Sequence, residues 1–509
     1  MSKEFGKYVR GGPPATEKFD MNMPPIKPKR YLMPIAWAGA FANQWMHGVK
    51  LRRVNMEGLK APYILVCNHN AFFDFSIMIA AHRSRKAHIH ASVDGFIARE
   101  MIMRKIGIIP KRKYTADANV IRQARDVLAR GDIYVIYAEA RYSLCGTLEI
   151  FPDSVGQLAK QMGVPVVTLQ CLGHHLLDPF WGNHKLRKIK GLETFMTQIL
   201  TAEEVQAAAP DEINEKIRQA LQYDDFRWQS ENKVRIARAN RAQGLHKPLY
   251  QCPKCKKEYM MNSNGAKVFC EACGKSWTLS EYGELSADEG ETEFTFPTDW
   301  YAWEREQVRG EVRAGKYKFD CAVDVNDLPN AEGFVHMGRG RLTHDLEGFR
   351  LEGVRDWDGE PFRMNIPAAS MIAVHVEYDY RFGLARDCID LNTLEDTWYC
   401  FPEGQPFSVT KVSIAQEEIF AYLREQKQNA AVEALTDVLD DFVRGAVPGI
   451  GPGSALGEDL GLMSMELFDL LCAIEARFGV SIPDELLTRR ATLRDLAAYL
   501  ETAANEGNL

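Results

Sequence analysis

The stretch Val66-Cys67-Asn68-His69-Asn70-Ala71-Phe72-Phe73-Asp74 ends an apolar run on a histidine and brings an aspartate five residues later. On a continuous helix five residues turn through about 500°, which leaves the two side chains about 140° apart. They meet only if the chain turns from strand to helix between them, and Asn68 and Asn70 suit such a turn. An aspartate at the new helix start then accepts a hydrogen bond from one imidazole nitrogen, sets the tautomer and frees the other nitrogen as a base. By spacing alone the pair is weak evidence, and a structural pair is the commoner reading. A second cluster, His174-His175-Leu176-Leu177-Asp178, lacks the strand-to-helix context and reads as structural, or as the lining of a pocket.

Cys252-Pro253-Lys254-Cys255 and Cys270-Glu271-Ala272-Cys273 are two C-x-x-C pairs with 14 residues between them. Four thiolates at this spacing close a tetrahedral zinc site, and with four protein ligands its role is structural. Lys254, Lys256 and Lys257 offset the anionic site. The other seven cysteines are scattered, as buried thiols in a reducing compartment are. A third feature is Asp459-Leu460-Gly461 followed by Ser464. It sets a serine at a helix start, where it also makes a good N-cap.

These residues need elements to hold them. Tyr63 to Cys67, Ile133 to Tyr137 and Val164 to Leu169 read as buried strands. Helical stretches lie at Phe75 to His82, Ala116 to Ala129 and Ser154 to Met162. That alternation predicts an α/β domain with a largely parallel sheet. After a helix around Trp300 to Gln307 the chain turns β-rich, with short runs at 341–343, 348–352, 362–366, 371–378, 388–391 and 397–401. This suggests a small sandwich or barrel closed by one helix, 413–425. From Val432 onward there are fourteen acidic residues against five arginines and no lysine, a balance of −9. With −7 for all 509 residues, the remainder is about +2. An acidic end of this kind docks on basic surfaces.

Three resemblances follow. His69-x-x-x-x-Asp74, Gly107-Ile108-Ile109-Pro110-Lys111-Arg112-Lys113, Tyr137-Ala138-Glu139-Ala140-Arg141-Tyr142-Ser143 and Val164-Pro165-Val166-Val167 resemble, in order, the four blocks of the glycerolipid acyltransferases. That superfamily includes the lysophosphatidate acyltransferases, and the match covers roughly residues 30–215. The resemblance implies His69 as general base, Asp74 as its orienting partner and Glu139 as an acceptor-binding residue, with Arg141, Arg112 and Lys113 as contacts to the acceptor. In the third block, Arg141 and Tyr142 sit where the family has threonine and arginine. The stretch from Val432, with Phe478-Gly479-Val480-Ser481-Ile482-Pro483-Asp484-Glu485, resembles acyl carrier proteins, which implies a 4′-phosphopantetheine arm on Ser464. Met463 replaces the usual aspartate before that serine. The outline of the β-rich segment resembles a pleckstrin-homology or GRAM-type domain.

The expected organisation is multidomain: an α/β acyltransferase domain with a basic N-terminal arm (1–245), a zinc ribbon (246–285), a small β-rich domain with a terminal helix (286–429) and a four-helix acyl carrier bundle (430–509). The expected activity is O-acyl transfer in phospholipid synthesis, from a phosphopantetheine thioester to a lysophosphatidate-like hydroxyl. The alternatives are a carrier or scaffold presenting acyl groups to separate enzymes, or a non-glycerolipid acceptor. The partners implied are an acyl thioester donor, a lysophospholipid-like acceptor, a phosphopantetheinyl transferase and an acyl-loading ligase or synthase. No nucleic acid is expected. Met1 to Arg30 is polar and basic, without the apolar core of a secretory signal. Tyr31 to Gly48 is too short and polar to span a bilayer. Leu32, Ile35, Trp37, Phe41, Trp45 and Met46, flanked by Lys27, Lys29, Arg30, Lys50, Arg52 and Arg53, make either an interfacial helix or an ordinary packing helix. The expected location is the cytoplasm, peripheral at the inner membrane face.

Overall fold

Every side chain from Tyr63 to Cys67 is buried, as a strand covered on both faces of a parallel sheet requires. The computed structural model describes residues 9–13, 18–29, 31–82, 86–182, 187, 189–380, 386–440, 451, 453–455, 464–483, 486 and 491–506. It divides into two units, Met1–Glu418 and Ile419–Leu509.

The first unit opens with the two-residue strand β1 (Val9–Arg10) and then builds a seven-stranded sheet. Its strands are β2 (Lys50–Val54), β3 (Tyr63–Cys67), β4 (Ala87–Ser92), β5 (Ile108–Lys111), β6 (Ile133–Tyr137), β7 (Val166–Leu172) and β8 (Glu193–Leu200), in the order β2-β8-β7-β3-β6-β4-β5. All pairings are parallel except β7 with β8. The helices of this region are α1 (Met33–Met46), α2 (Phe73–His82), α3 (Glu100–Lys105), α4 (Asn119–Ala129), α5 (Ser154–Met162), α6 (His174–Leu177), α7 (Ala202–Ala207), α8 (Pro210–Leu221) and α9 (Asp225–Glu231). Ala124, Val127 and Leu128 of α4, Val155 and Leu158 of α5, and Ile213 and Ile217 of α8 close one core with Ile64, Val66, Tyr134 and Val166. The parallel order places the carboxyl ends of β3, β4, β5, β6 and β7 together, which is where open α/β sheets hold their ligands.

A four-stranded antiparallel sheet follows: β9 (Met261–Asn264), β10 (Lys267–Cys270), β11 (Ser276–Leu279) and β12 (Leu285–Ala287). After α10 (Pro297–Arg313) come β13 (Phe319–Asn330), β14 (Gly333–Asp345), β15 (Gly348–Val354), β16 (Pro361–Pro367), β17 (His375–Glu377), β18 (Cys388–Asn392) and β19 (Thr397–Glu403). They form one sheet in the order β16-β15-β14-β13-β19-β18-β17, with β1 added parallel to β14. The sequence suggested a sandwich or barrel. The strands follow one pairing path, along which β13 and β14 are the longest, with 12 and 13 residues.

The second unit draws on α11 (Val409–Asp440), α12 (Ser464–Phe478) and α13 (Leu493–Glu506). Leu435, Leu470, Leu471, Ile474, Leu493, Leu496 and Leu500 make its core. Three helices are described here, and residues 441–450 and 456–463 lie outside the described residues. The closing helix read at 413–425 and the helix read from Val432 are one helix, α11. No glycine or proline interrupts Val409 to Asp440, and the segment between is rich in strong helix formers.

Candidate active site

His69 leaves the carboxyl end of β3, and α2 begins at Phe73, so Asp74 falls in the helix's first turn. The strand-to-helix turn does bring the two together: His69 Nδ1 lies 3.6 Å from Asp74 Oδ2. That oxygen also accepts the backbone N–H of Asn70 at 2.6 Å and of Ala71 at 2.9 Å. The turn is locked to β7. Asn68 donates to the carbonyl of Cys171 at 2.9 Å and accepts its N–H at 2.8 Å, and Asn70 donates to the same carbonyl at 2.8 Å.

Asp74 has a second histidine. His174 Nδ1 lies 2.7 Å from Asp74 Oδ1, and its Nε2 lies 3.4 Å from the Thr194 hydroxyl. Sequence reading sets His174 aside as structural or pocket-lining. The signal that marks it is Gly173, just past the carboxyl end of β7. Gly173 has φ +79°, and a Cβ there would meet the Trp228 ring at 2.3 Å. The turn it permits aims His174 at Asp74. His175 points elsewhere, accepting from Trp181 Nε1 at 3.2 Å.

Burial raises the Asp74 carboxyl, but the hydrogen bond from His174 and the nearby His69 imidazole outweigh it and hold the group at about 2. Burial lowers His69, Asp74 opposes this, and the charge of Lys113 adds to the lowering. His69 is therefore neutral at neutral pH. A proton on Nδ1, facing the carboxylate, leaves the Nε2 lone pair free. The ring stands between Tyr137 at 4.1 Å and Tyr142 at 4.3 Å, and its side chain is 18% exposed.

Glu139 follows β6 and is fully buried. Its oxygens accept the backbone N–H of His69 at 2.7 Å and of Glu149 at 2.8 Å. Burial pushes its carboxyl up, and these two donors pull it back. It therefore braces the His69 loop. Ala140, which follows Glu139, has φ +53° and occupies the left-handed region.

Of the three cations read as acceptor contacts, the structure leaves one beside His69. Arg141 is buried and turned inward. It pairs with Glu149 at 2.7 Å and with Glu417, and donates to Ser413. Arg305 and Arg309 extend this network to Glu417 at 2.7 Å and Glu418 at 2.7 Å. Arg112 is buried on the Thr397 hydroxyl at 2.5 Å. Lys113 is half-buried and acts on His69, Asp94 and Glu377 by its charge. The β-rich sheet supplies a wall to this region: Tyr142 contacts Phe180 at 5.6 Å, which contacts Tyr378 at 5.2 Å.

Beside the four-stranded sheet, Cys252 Sγ and Cys273 Sγ are 3.8 Å apart and Cys255 Sγ and Cys270 Sγ 3.7 Å. All four sulfurs lie within 4.8 Å of one another. A tetrahedral ion with metal–sulfur bonds of about 2.3 Å needs sulfurs about 3.8 Å apart, so the donor set fits zinc.

Residues 47–172 match the acyltransferase family and residues 433–500 the phosphopantetheine attachment site. The acyl carrier protein of Streptomyces coelicolor is 38% identical over 73 residues, covering 14% of this chain and 79% of that protein. The chain joins an acyltransferase domain to a member of the acyl carrier protein family. The acyl carrier protein of Campylobacter hominis is 30% identical over 69 residues, 14% of this chain and 87% of its own length. Among solved structures, the 1-acyl-sn-glycerophosphate acyltransferase of Thermotoga maritima matches at a TM-score of 0.31 and 15% identity, over 38% of this chain and 79% of that one. The acyltransferase match contains His69, Asp74, Glu139 and Arg141. The carrier match contains Ser464, the first residue of α12. A carrier of this family works through 4′-phosphopantetheine.

Proposed function

We propose that the protein moves a fatty acyl group from a phosphopantetheine thioester on Ser464 to the hydroxyl of a lysophosphatidate-like acceptor, with His69 as general base. The observation that carries this is the neutral His69, its Nδ1 on the Asp74 carboxylate and its Nε2 free at the carboxyl ends of the parallel strands. The arm supplies the acyl group as a thioester. His69 takes the acceptor's proton at Nε2 as the oxygen attacks the acyl carbon, and returns it to the departing sulfur when the carbon–sulfur bond breaks. Asp74 stabilises the imidazolium between these steps. Tethering raises the donor's effective concentration. A phosphopantetheinyl transferase and an acyl-loading ligase or synthase are required upstream.

Lys113 is the group proposed to meet the acceptor's phosphate. The inward turn of Arg141 and Arg112 favours a second reading, in which the acceptor hydroxyl belongs to a molecule without phosphate. The four cysteines are proposed to hold a structural zinc.

No described helix is long and apolar enough to cross a membrane. Ile35 and Trp45 of α1 are 75% and 85% exposed, and Phe72, two residues before Asp74, is 65% exposed. These side chains support a peripheral position on a membrane surface, where a lysolipid is met. The buried unpaired thiols support the cytoplasmic side.

The deciding experiment loads Ser464 with an acyl-phosphopantetheine, adds lysophosphatidate or a neutral hydroxyl lipid, and follows protein mass and lipid product together. Loss of acyl mass with phosphatidate formed, and neither in His69→Ala, supports the first reading. Product only from the neutral lipid supports the second. An acyl group retained with every acceptor leaves the chain a carrier that serves separate enzymes.

A further inference from the structure

β17 carries His375 and Glu377 two residues apart, so their side chains leave the same face of the strand. β18 sets Asp390 directly opposite His375, and cross-strand partners share a face. The three residues are buried, at 1%, 9% and 2% exposure. His375 Nε2 lies 2.8 Å from Glu377 Oε1 and 3.7 Å from Asp390 Oδ2. One nitrogen or oxygen from each residue lies within 4.8 Å of the other two. Ligand atoms about 2.1 Å from a shared ion stand roughly 3–3.5 Å apart at octahedral or tetrahedral angles. The spacing needs little adjustment to close on one ion.

The two carboxylates are short of donors. Among the described residues, Glu377's side chain has His375 as its one hydrogen-bond partner. Asp390 adds only the Cys388 thiol at 3.5 Å. Asp74, equally buried, has two backbone N–H donors and two imidazoles. A carboxylate taken out of water needs hydrogen bonds or a cation. Lys113 faces the cluster, yet forms no ion pair within 4 Å among the described residues.

We propose that His375, Glu377 and Asp390 bind a divalent first-row metal ion. One imidazole nitrogen and two carboxylate oxygens suit Mn²⁺, Fe²⁺ or Zn²⁺, a donor set unlike the four thiolates of the cysteine cluster. Three protein ligands leave coordination positions for water or for an oxygen of a bound molecule. The site lies close to the base: His375 contacts the Phe180 ring at 6.4 Å, Phe180 contacts Tyr142 at 5.6 Å, and Tyr142 contacts His69 at 4.3 Å.

The test uses the full-length protein, saturated with Mn²⁺ and passed through gel filtration. It reads metal content by mass spectrometry and bound manganese by electron paramagnetic resonance. One bound manganese per chain is expected, with the cysteine-held zinc undisturbed. Co²⁺ at this site is expected to lack the thiolate charge-transfer bands that cobalt at the cysteines shows. The near-isosteric Glu377→Gln is expected to weaken manganese binding at least tenfold while near-ultraviolet circular dichroism stays that of the wild type. Asp390→Asn adds a second measure if it folds. A wild-type protein that retains no divalent metal beyond that of the four cysteines overturns the site, and so does Glu377→Gln that binds manganese as the wild type does.

Discussion

Asp74 stands between two histidines, with Oδ1 2.7 Å from His174 Nδ1 and Oδ2 3.6 Å from His69 Nδ1. The carboxylate beside the proposed base therefore divides its charge, and His174 controls how much reaches His69. Replacing His174 by alanine removes one donor and concentrates the negative charge on His69. The acid limb of the kcat/KM profile is expected to move up by about one pH unit. Stability falls by about 2 kcal/mol for a lost hydrogen bond to a buried charge. His174→Asn, whose amide can donate from the Nδ1 position, is expected to restore the limb. A profile unmoved in His174→Ala would leave His174 a packing residue only.

Asp74 also writes a pH dependence into stability. Its carboxyl sits at about 2 when folded, against 3.8 unperturbed. A lowered carboxyl contributes stability that is complete above its unfolded value and is lost as pH falls through the folded one. The contribution is about 2 kcal/mol. Denaturant unfolding between pH 5 and 2 is expected to steepen by that amount in the wild type relative to Asp74→Asn. Transfer in His69→Ala is expected to fall by roughly 10²–10⁴-fold, as loss of a general base does.

Arg141 and Lys113 should separate cleanly. Arg141→Ala leaves Glu149 and Glu417 in the interior with Arg305 as their remaining cation and is expected to cost about 3 kcal/mol, read as a fall in Tm. Lys113→Ala is expected to leave Tm almost unchanged and to raise KM for a phosphate-bearing acceptor about tenfold, with kcat kept. An equal KM for a phosphate-free acceptor in both proteins would confirm that Lys113 meets the phosphate.

Trp45→Ala combined with Ile35→Ala removes two exposed side chains and is expected to reduce sedimentation with anionic vesicles by tenfold or more, at about 25 cal/mol per Å² of apolar surface. Catalysis on a detergent-dispersed acceptor should be retained.

Part of this was readable along the chain. The apolar runs at Tyr63–Cys67 and Ile133–Tyr137 became central strands, because a strand covered on both faces carries its own signal. The bend between His69 and Asp74 was legible from Asn68 and Asn70. The fate of Arg141 was not, since its partner Glu417 lies 276 residues away and long-range ion pairs leave no local pattern. β13, Phe-Asp-Cys-Ala-Val-Asp-Val-Asn-Asp-Leu-Pro-Asn, hid behind its polar residues, several of which are buried by strands that come later. β2, Lys-Leu-Arg-Arg-Val, is an exposed edge strand in which three of the five residues are charged.

The knot of Arg141, Glu149, Arg305 and Glu417 also says how this chain can be cut. A fragment ending near residue 245 holds every residue of the His69 loop. It lacks Glu417, Ser413 and the Tyr378 wall, and leaves Arg141 with Glu149 alone. The acyltransferase domain cut at that point is thus expected to be less stable than the full chain. Arg141 beside the proposed site gains two of its partners, Ser413 and Glu417, only from residues made much later in synthesis, so a ribosome-bound chain leaves this network incomplete until translation nears the carrier.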